Sequence, residues 1–310
     1  MDRPPELREG PGVRSWLRGT PVDARSHRIG GAMLEGGTDD VEEAWRWFLD
    51  RAGRGDIVVL RATPDEGYDA WVRTLAPVHS FQTLQLTNPG AANDPFVLRS
   101  IERADGLFIA GGDQFDYVRV WTGTPIQRAV NEAIDAGVPI GGISAGLAVL
   151  GGFVFTAERD TITTAEALAD PYGDRVRLAP GFLTVPGLTA TITDSHLSER
   201  ERLGRLLVFL ARTIADGWAD EVRGIGIDEE TAVLVEPGGT ATVHGAGTAW
   251  FLRMRDDDVL ACAPAHPLET RPIEVLGVRA GMTVDLGTWS GDGERRLVAA
   301  VDGSVRQLDA

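Results

Sequence analysis

Short, continuous apolar runs, each followed by a helix-compatible segment, constrain this chain more than any other feature. Ile57–Leu60 (IVVL) is one such run, Gly106–Ala110 (GLFIA) and Val138–Ile143 are further apolar strands, and Phe81–Thr87 is strand-like. A strand buried on both faces reads as an unbroken apolar stretch, whereas a half-exposed strand alternates. Helical segments lie between the runs, at Tyr68–Leu75, Phe96–Ala104 and Pro125–Ala136. The last has Pro125 at its first turn and Gly137 just past its end. Strand and helix alternating at this spacing predict an α/β fold, a parallel sheet with helices on both faces.

Upstream, Val41–Ala52 reads as an amphipathic helix with Val41, Ala44, Trp45, Phe48 and Leu49 inward and Thr38 or Asp39 as its cap. Its aromatic residues belong to the core rather than to a ligand cage. Residues 1–28, rich in Pro, Gly and charge, read as a flexible leader. Beyond Ala219 the texture changes to short β runs: Gly224–Asp228, Ala232–Glu236, Ala241–His244 and Ala249–Arg253. The expected organisation is an α/β domain over 29–255 and a small β-rich extension over 256–310 packed on it. No internal repeat is present.

Lys+Arg number 30 against Asp+Glu 46, a net charge of −16. Such a chain is repelled by nucleic-acid backbones and anionic membranes, so neither is expected as a partner. A local arginine cluster can still hold an anionic group. The single cysteine, Cys262, excludes an intramolecular disulfide and a cysteine-based zinc site. No run approaches the length of a membrane helix, and the first residues lack a secretory signal, so a cytoplasmic location is expected.

The chemistry concentrates in Val138–Gly151, VPIGGISAGLAVLG. An apolar strand enters Gly142-Ile143-Ser144-Ala145-Gly146 and a helix-compatible stretch leaves it. Small flanking residues let the backbone turn sharply and project the Ser144 hydroxyl at the strand end, beside the free N–H groups of the following helix. An oxyanion formed in acyl transfer needs such donors. Of five histidines, His196 is best placed as a base, because it follows the strand-like Leu188–Thr193. Strand C-termini of an open parallel sheet converge on one edge, so His196 can reach Ser144 from another strand. The segment Leu197–Arg212 carries the apolar spacing of a long helix, with Arg200, Arg202 and Arg205 in its first half. Cations are disfavoured near a helix N-terminus. The cluster therefore either pairs with acidic neighbours or holds an anion beside the base. Gly111-Gly112-Asp113-Gln114, directly after a strand, is a turn that lets backbone approach a ligand.

In this order, GGDQ at Gly111–Gln114, GISAG at Gly142–Gly146, DSHLSERERLGRL at Asp194–Leu206 and GIGIDEETA at Gly224–Ala232 resemble the cyanophycinase and aspartyl-dipeptidase family of serine peptidases. The resemblance spans roughly Gly30 to Arg253. It implies a three-layer α/β sandwich similar to class I glutamine amidotransferases, with a mainly parallel central sheet. It makes Ser144 the nucleophile, His196 the base, and the Gly112 and Ala145 N–H groups the oxyanion hole. It places the third catalytic residue shortly after the nucleophile: Asp160 fits best, with Glu158 and Glu166 as alternatives. Gln114, Asp194, Arg200, Arg202 and Arg205 are the implied substrate contacts. Ser195 and Leu197 depart from the family's Gln and Phe around the histidine, which puts cyanophycin itself in doubt as substrate.

The expected function is a serine-type exopeptidase or dipeptidase acting on peptides with acidic, aspartyl or β-aspartyl units through an acyl-enzyme. No metal or cofactor is expected; the partner is a peptide substrate, and a homodimer is left open. Two alternatives remain: a catalytically silent member that binds a peptide or small ligand, and an α/β-hydrolase-type esterase, which would carry its histidine near the chain end. An amidotransferase would require a thiolate at the elbow, where Ser144 stands.

Overall fold

The apolar runs become adjacent strands of one sheet. The structure, a computed structural model, describes residues 6–22, 27–63 and 67–308. Ser80–Leu86, Asp56–Arg61, Gly106–Ile109, Ile140–Ile143 and Ala32–Glu35 lie side by side in that order, all parallel. Each is buried along its whole length, which is why Ile57–Leu60, Gly106–Ile109 and Ile140–Ile143 carry no polar side chain, whereas Ser80–Leu86 buries Gln82 and Gln85 among its apolar residues. Helices Glu42–Arg51 and Asp69–Leu75 cover one face. There Trp45, Phe48 and Leu49 pack with Val72 and the strand residue Phe108. Burying each of these large side chains contributes about 1.5–3 kcal/mol. Helices Pro95–Arg103, Gln114–Trp121 and Pro125–Asp135 cover the other face.

A second sheet begins with three parallel strands, Phe153–Phe155, Thr191–Ser195 and Glu221–Ile227. It continues with antiparallel Thr248–Arg255, Ile273–Arg279, Glu294–Val301 and Ser304–Leu308. Its inner face shares the core of the first sheet, and helices Thr164–Ala169 and Leu203–Ala215 pack on its outer face. The result is the expected three-layer α/β sandwich with a parallel centre.

Three expectations are corrected. The N-terminal segment is not a loose leader where it is described: Glu6–Gly10 and Val13–Gly19 form a hairpin that adds two antiparallel strands beside Ser80–Leu86, burying Val13 and Ser15. Residues 1–5 and 23–26 of that leader lie outside the described residues. The C-terminal strands extend both sheets, Thr283–Asp285 pairing with Thr240–Gly245 and Ile273–Arg279 with Thr248–Arg255. The helix after His196 starts only at Leu203, because the preceding residues wrap the histidine in tight turns, with Glu201 at a positive φ of 51°. At the first helix, neither Thr38 nor Asp39 caps; the Val41 N–H donates instead to Glu35 Oε1 at 2.9 Å.

Candidate active site

Ser144 stands where strand Ile140–Ile143 meets the short helix Ala145–Ala148, at φ 52° and ψ −111°. A non-glycine residue held there costs about 1–3 kcal/mol, tolerated when the surroundings over-determine it. They do so through glycine. A Cβ on Gly142 would come within 2.6 Å of Gly146 backbone, and one on Gly146 within 2.0 Å of the Ile109 carbonyl oxygen. The small residues flanking Ser144 are thus what lets strand and helix close on each other.

His196 follows strand Thr191–Ser195, also at a positive φ, 50°, and is 4% exposed. Its Nε2 lies 2.8 Å from Ser144 Oγ. Its Nδ1 lies 2.6 Å from Glu229 Oε1. Glu229 sits just beyond strand Glu221–Ile227, so hydroxyl, imidazole and carboxylate stand in one hydrogen-bonded line at the C-terminal ends of three strands. The strand of Ser144 lies in the first sheet and the parallel pair of His196 and Glu229 in the second, rather than all in one open sheet as expected. An imidazole so held can take the hydroxyl proton while the carboxylate stabilises the cation that forms.

The carboxylate at this position is not one of those expected. Asp160 is exposed and accepts from its neighbour, the Thr161 N–H, at 2.6 Å. Glu166 is the return half of a capping box with Thr163 and pairs with Arg175 at 2.9 Å. Glu158 is exposed on the same loop. That loop leads into the helix packed against Leu203–Ala215, on the far side of the second sheet from the first. The Glu229 signal was available in sequence: an acid directly after the apolar run Gly224–Asp228, as His196 directly follows its own strand.

The sequence does not reveal the part played by the turn that follows strand Ala32–Glu35. Glu35 carbonyl accepts the Ser144 N–H at 3.0 Å, and Gly36 carbonyl accepts the His196 N–H at 3.1 Å. The Thr38 side chain hydrogen-bonds Glu229, which with the His196 bond holds that carboxyl below the usual carboxylate range. His196 itself is pushed below the ordinary histidine value, chiefly by burial. The Glu229 hydrogen bond opposes that shift, and the nearby Arg200 and Arg202 charges add to it.

Gly112 lies on the turn after strand Gly106–Ile109, and the adjoining Gly111 would place a Cβ 3.6 Å from that of Ser144. Among the described residues, neither the Gly112 nor the Ala145 N–H donates to a backbone acceptor. Gln114 begins the next helix and its amide donates to the Phe155 carbonyl, tying the two sheets together.

The arginine cluster divides. Arg205 is 2% exposed and makes a bidentate contact with Asp194, Nε to Oδ2 at 2.8 Å and Nη2 to Oδ1 at 2.6 Å. It also sits over the Phe155 and Phe209 rings. Asp194 and Arg205 are thus a buried ion pair behind the histidine strand, not substrate-facing groups. Arg202 is nearly as buried, donates to the Ser195 carbonyl at 2.9 Å, and has its pKa lowered to about 10, chiefly by that burial. Arg200 is exposed, has no ion-pair partner among the described residues, and lies close enough to act on His196 and Glu229. Among the described residues no cluster of His, Cys, Asp and Glu could hold a metal ion.

Fold and geometry together define a serine hydrolase: an α/β sandwich that presents a strained serine and a buried histidine at converging strand ends. Residues 68–243 match the model of peptidase family S51, and the chain belongs to that family of serine-type peptidases. It is 27% identical over 281 residues to a cyanophycinase of Synechococcus elongatus, an alignment covering 86% of this chain and 81% of the relative. A cyanophycinase of Trichormus variabilis is 31% identical over 153 residues, 49% of this chain and 46% of the relative. In structure, the chain is similar to a peptidase from an acI-B1 Actinobacterium, with a TM-score of 0.56 and 16% identity over 84% of this chain and 98% of that one. That likeness concerns the fold.

Proposed function

We propose that this serine peptidase cleaves short peptides bearing acidic, aspartyl or β-aspartyl units by way of an acyl-enzyme, with Ser144, His196 and Glu229 as its triad. The observation that carries the proposal is the unbroken line Ser144 Oγ, His196 Nε2, His196 Nδ1, Glu229 Oε1, with links of 2.8 and 2.6 Å.

In the first step His196 Nε2 accepts the Ser144 proton as Oγ attacks the peptide carbonyl. Glu229 fixes the ring so that Nε2 faces the hydroxyl, and stabilises the imidazolium. The Gly112 and Ala145 N–H groups receive the oxyanion, each such donor being worth about 3–4 kcal/mol in the transition state. His196 then gives its proton to the departing amine. Water then attacks the acyl carbonyl as it loses a proton to the same nitrogen, and that proton passes to Ser144 Oγ as the ester bond breaks and the acid leaves.

The preference for acidic peptides rests on Arg200, the exposed cation beside the histidine, and on the names of the relatives, which are called cyanophycinases. A panel of α-aspartyl, isoaspartyl and β-aspartyl-arginine dipeptides against neutral dipeptides tests it. Hydrolysis of an acidic member, abolished in Ser144→Ala, is the expected result. Hydrolysis of neutral peptides alone would overturn the substrate class and leave the triad standing.

A further inference from the structure

The histidine and the glutamate belong to different strands, yet both must be held to within a fraction of an ångström. Three successive amides hold the histidine side. The His196 N–H donates to Gly36 O at 3.1 Å, the Leu197 N–H to Ile227 O at 3.1 Å, and the Ser198 N–H to Asp228 Oδ1 at 3.0 Å. The third acceptor is a side chain, and it comes from the residue directly before Glu229.

Asp228 is 5% exposed and its carboxylate accepts three hydrogen bonds. Oδ1 takes the Ser198 N–H and, at 3.1 Å, the Trp250 indole N–H; Oδ2 takes the Thr248 N–H at 3.1 Å. Its own N–H returns to the Thr248 carbonyl at 3.1 Å. Strand Thr248–Arg255 is thereby tied to the segment carrying Glu229, and that segment to the turn carrying His196. Gly247 leaves the room: a Cβ there would stand 2.8 Å from that of Asp228. A carboxylate with all its partners donating needs no further ligand, so its place in the fold is to join these three segments.

We infer that Asp228 is a positioning residue for catalysis, a brace that sets the distance and angle between His196 and Glu229. The inference rests on the Ser144, His196 and Glu229 reading above. Asp228 bonds to none of those three side chains and acts only through the backbone that carries two of them. Asn at this position keeps one acceptor oxygen but turns an amide N–H toward the Thr248 N–H, so one side of the brace is lost. Ala loses all three bonds.

The test follows the rate at which a fluorophosphonate probe labels Ser144 as a function of pH, which requires no knowledge of the natural peptide. Displacement by a fraction of an ångström is expected to slow labelling about 10- to 100-fold in Asp228→Asn and more in Asp228→Ala. The acid limb also moves. The Glu229 hydrogen bond raises the His196 pKa against burial and the Arg200 and Arg202 charges, so loosening it shifts the limb to lower pH. A merely structural role would reduce the labelled fraction and leave the limb where it is. Trp250→Phe removes one bond of the three and should show a smaller shift in the same direction, which decides the matter if the Asp228 variants do not fold.

Glu229→Gln is measured alongside. Slow labelling in Glu229→Gln with an unmoved limb in Asp228→Asn, or in Trp250→Phe where Asp228→Asn is unfolded, overturns the brace alone. Wild-type behaviour in Glu229→Gln overturns the glutamate assignment, and absence of labelling in the wild type overturns the nucleophile; the brace falls with either.

Discussion

Gly37 and His196 are in direct apposition: a Cβ built on Gly37 would lie 2.2 Å from Cε1 of the imidazole and 2.5 Å from Nε2. The glycine also has a φ of 124°, in the region L side chains rarely adopt. The backbone after strand Ala32–Glu35 is therefore the wall against which the histidine ring rests.

Gly37→Ala is expected to push the ring away from Ser144. Activity should fall about 100-fold, the cost of a misplacement near 1 Å, while the chain remains folded. Steady-state hydrolysis and circular dichroism together check this; unchanged kcat/KM would mean that the ring has another resting place.

The histidine pKa sets the acid limb of kcat/KM. His196 is held below its ordinary value by burial first, with Arg200 and Arg202 assisting. The enzyme should thus keep its activity at pH values where an exposed histidine would already be protonated. Arg200→Gln removes one positive charge, makes the imidazolium easier to form, and should move the limb to higher pH. The same variant should raise KM for acidic peptides more than for neutral ones. An equal effect on both would confine Arg200 to electrostatics at the histidine.

Arg205 and Asp194 form a buried, bidentate pair, so removing one partner leaves an uncompensated charge. Arg205→Ala is expected to destabilise the fold by about 3–5 kcal/mol. The double variant Asp194→Leu, Arg205→Met should recover much of that loss. Urea unfolding measures both; a stable single variant with a raised KM would instead return Arg205 to the substrate site.

Glu35 and Asp40 are neighbouring carboxyls on either side of the turn that carries Gly37. Burial raises both, Asp40 to about 6 and Glu35 well above the usual range. A carboxyl whose pKa is higher folded than unfolded stabilises the fold when protonated. For Asp40 that contribution is present below its unfolded pKa, near 4, and is lost as pH rises through about 6. Asp40→Asn should therefore gain stability relative to wild type between pH 5 and pH 7.5, by about 1–3 kcal/mol. Melting temperatures of the two proteins across that range decide it, and parallel curves would refute the shift.

The sequence was most legible where one strand explained itself. Ile57–Leu60 and Gly106–Ala110 are apolar throughout because both faces are covered, and GISAG turns because Gly142 and Gly146 permit it. The site was harder, because it is assembled across strands. Ser144 and His196 could be read from strand ends, but Glu229 required extending the same rule to Glu221–Ile227. The family resemblance points to an acid shortly after the nucleophile, where Asp160 is exposed. Residues 197–202 carried a helical pattern of leucines and charges. Tertiary demands won there: the backbone bends around His196, and Arg202 and Arg205 turn inward to satisfy Ser195 and Asp194. Gly36 and Gly37 carry the same signal as Gly111 and Gly112, paired glycines at a strand end. Their partner His196 is too distant in sequence for pattern alone to reveal.

The most direct measurement compares Glu229→Gln with Asp160→Asn on the best acidic dipeptide of the panel. With Glu229 as the third member, Glu229→Gln lowers kcat by roughly 10²–10⁴-fold, the loss expected when the imidazole loses its orienting acid, and Asp160→Asn stays near wild type. The opposite ranking, with Asp160→Asn inactive and Glu229→Gln unimpaired, would contradict the account.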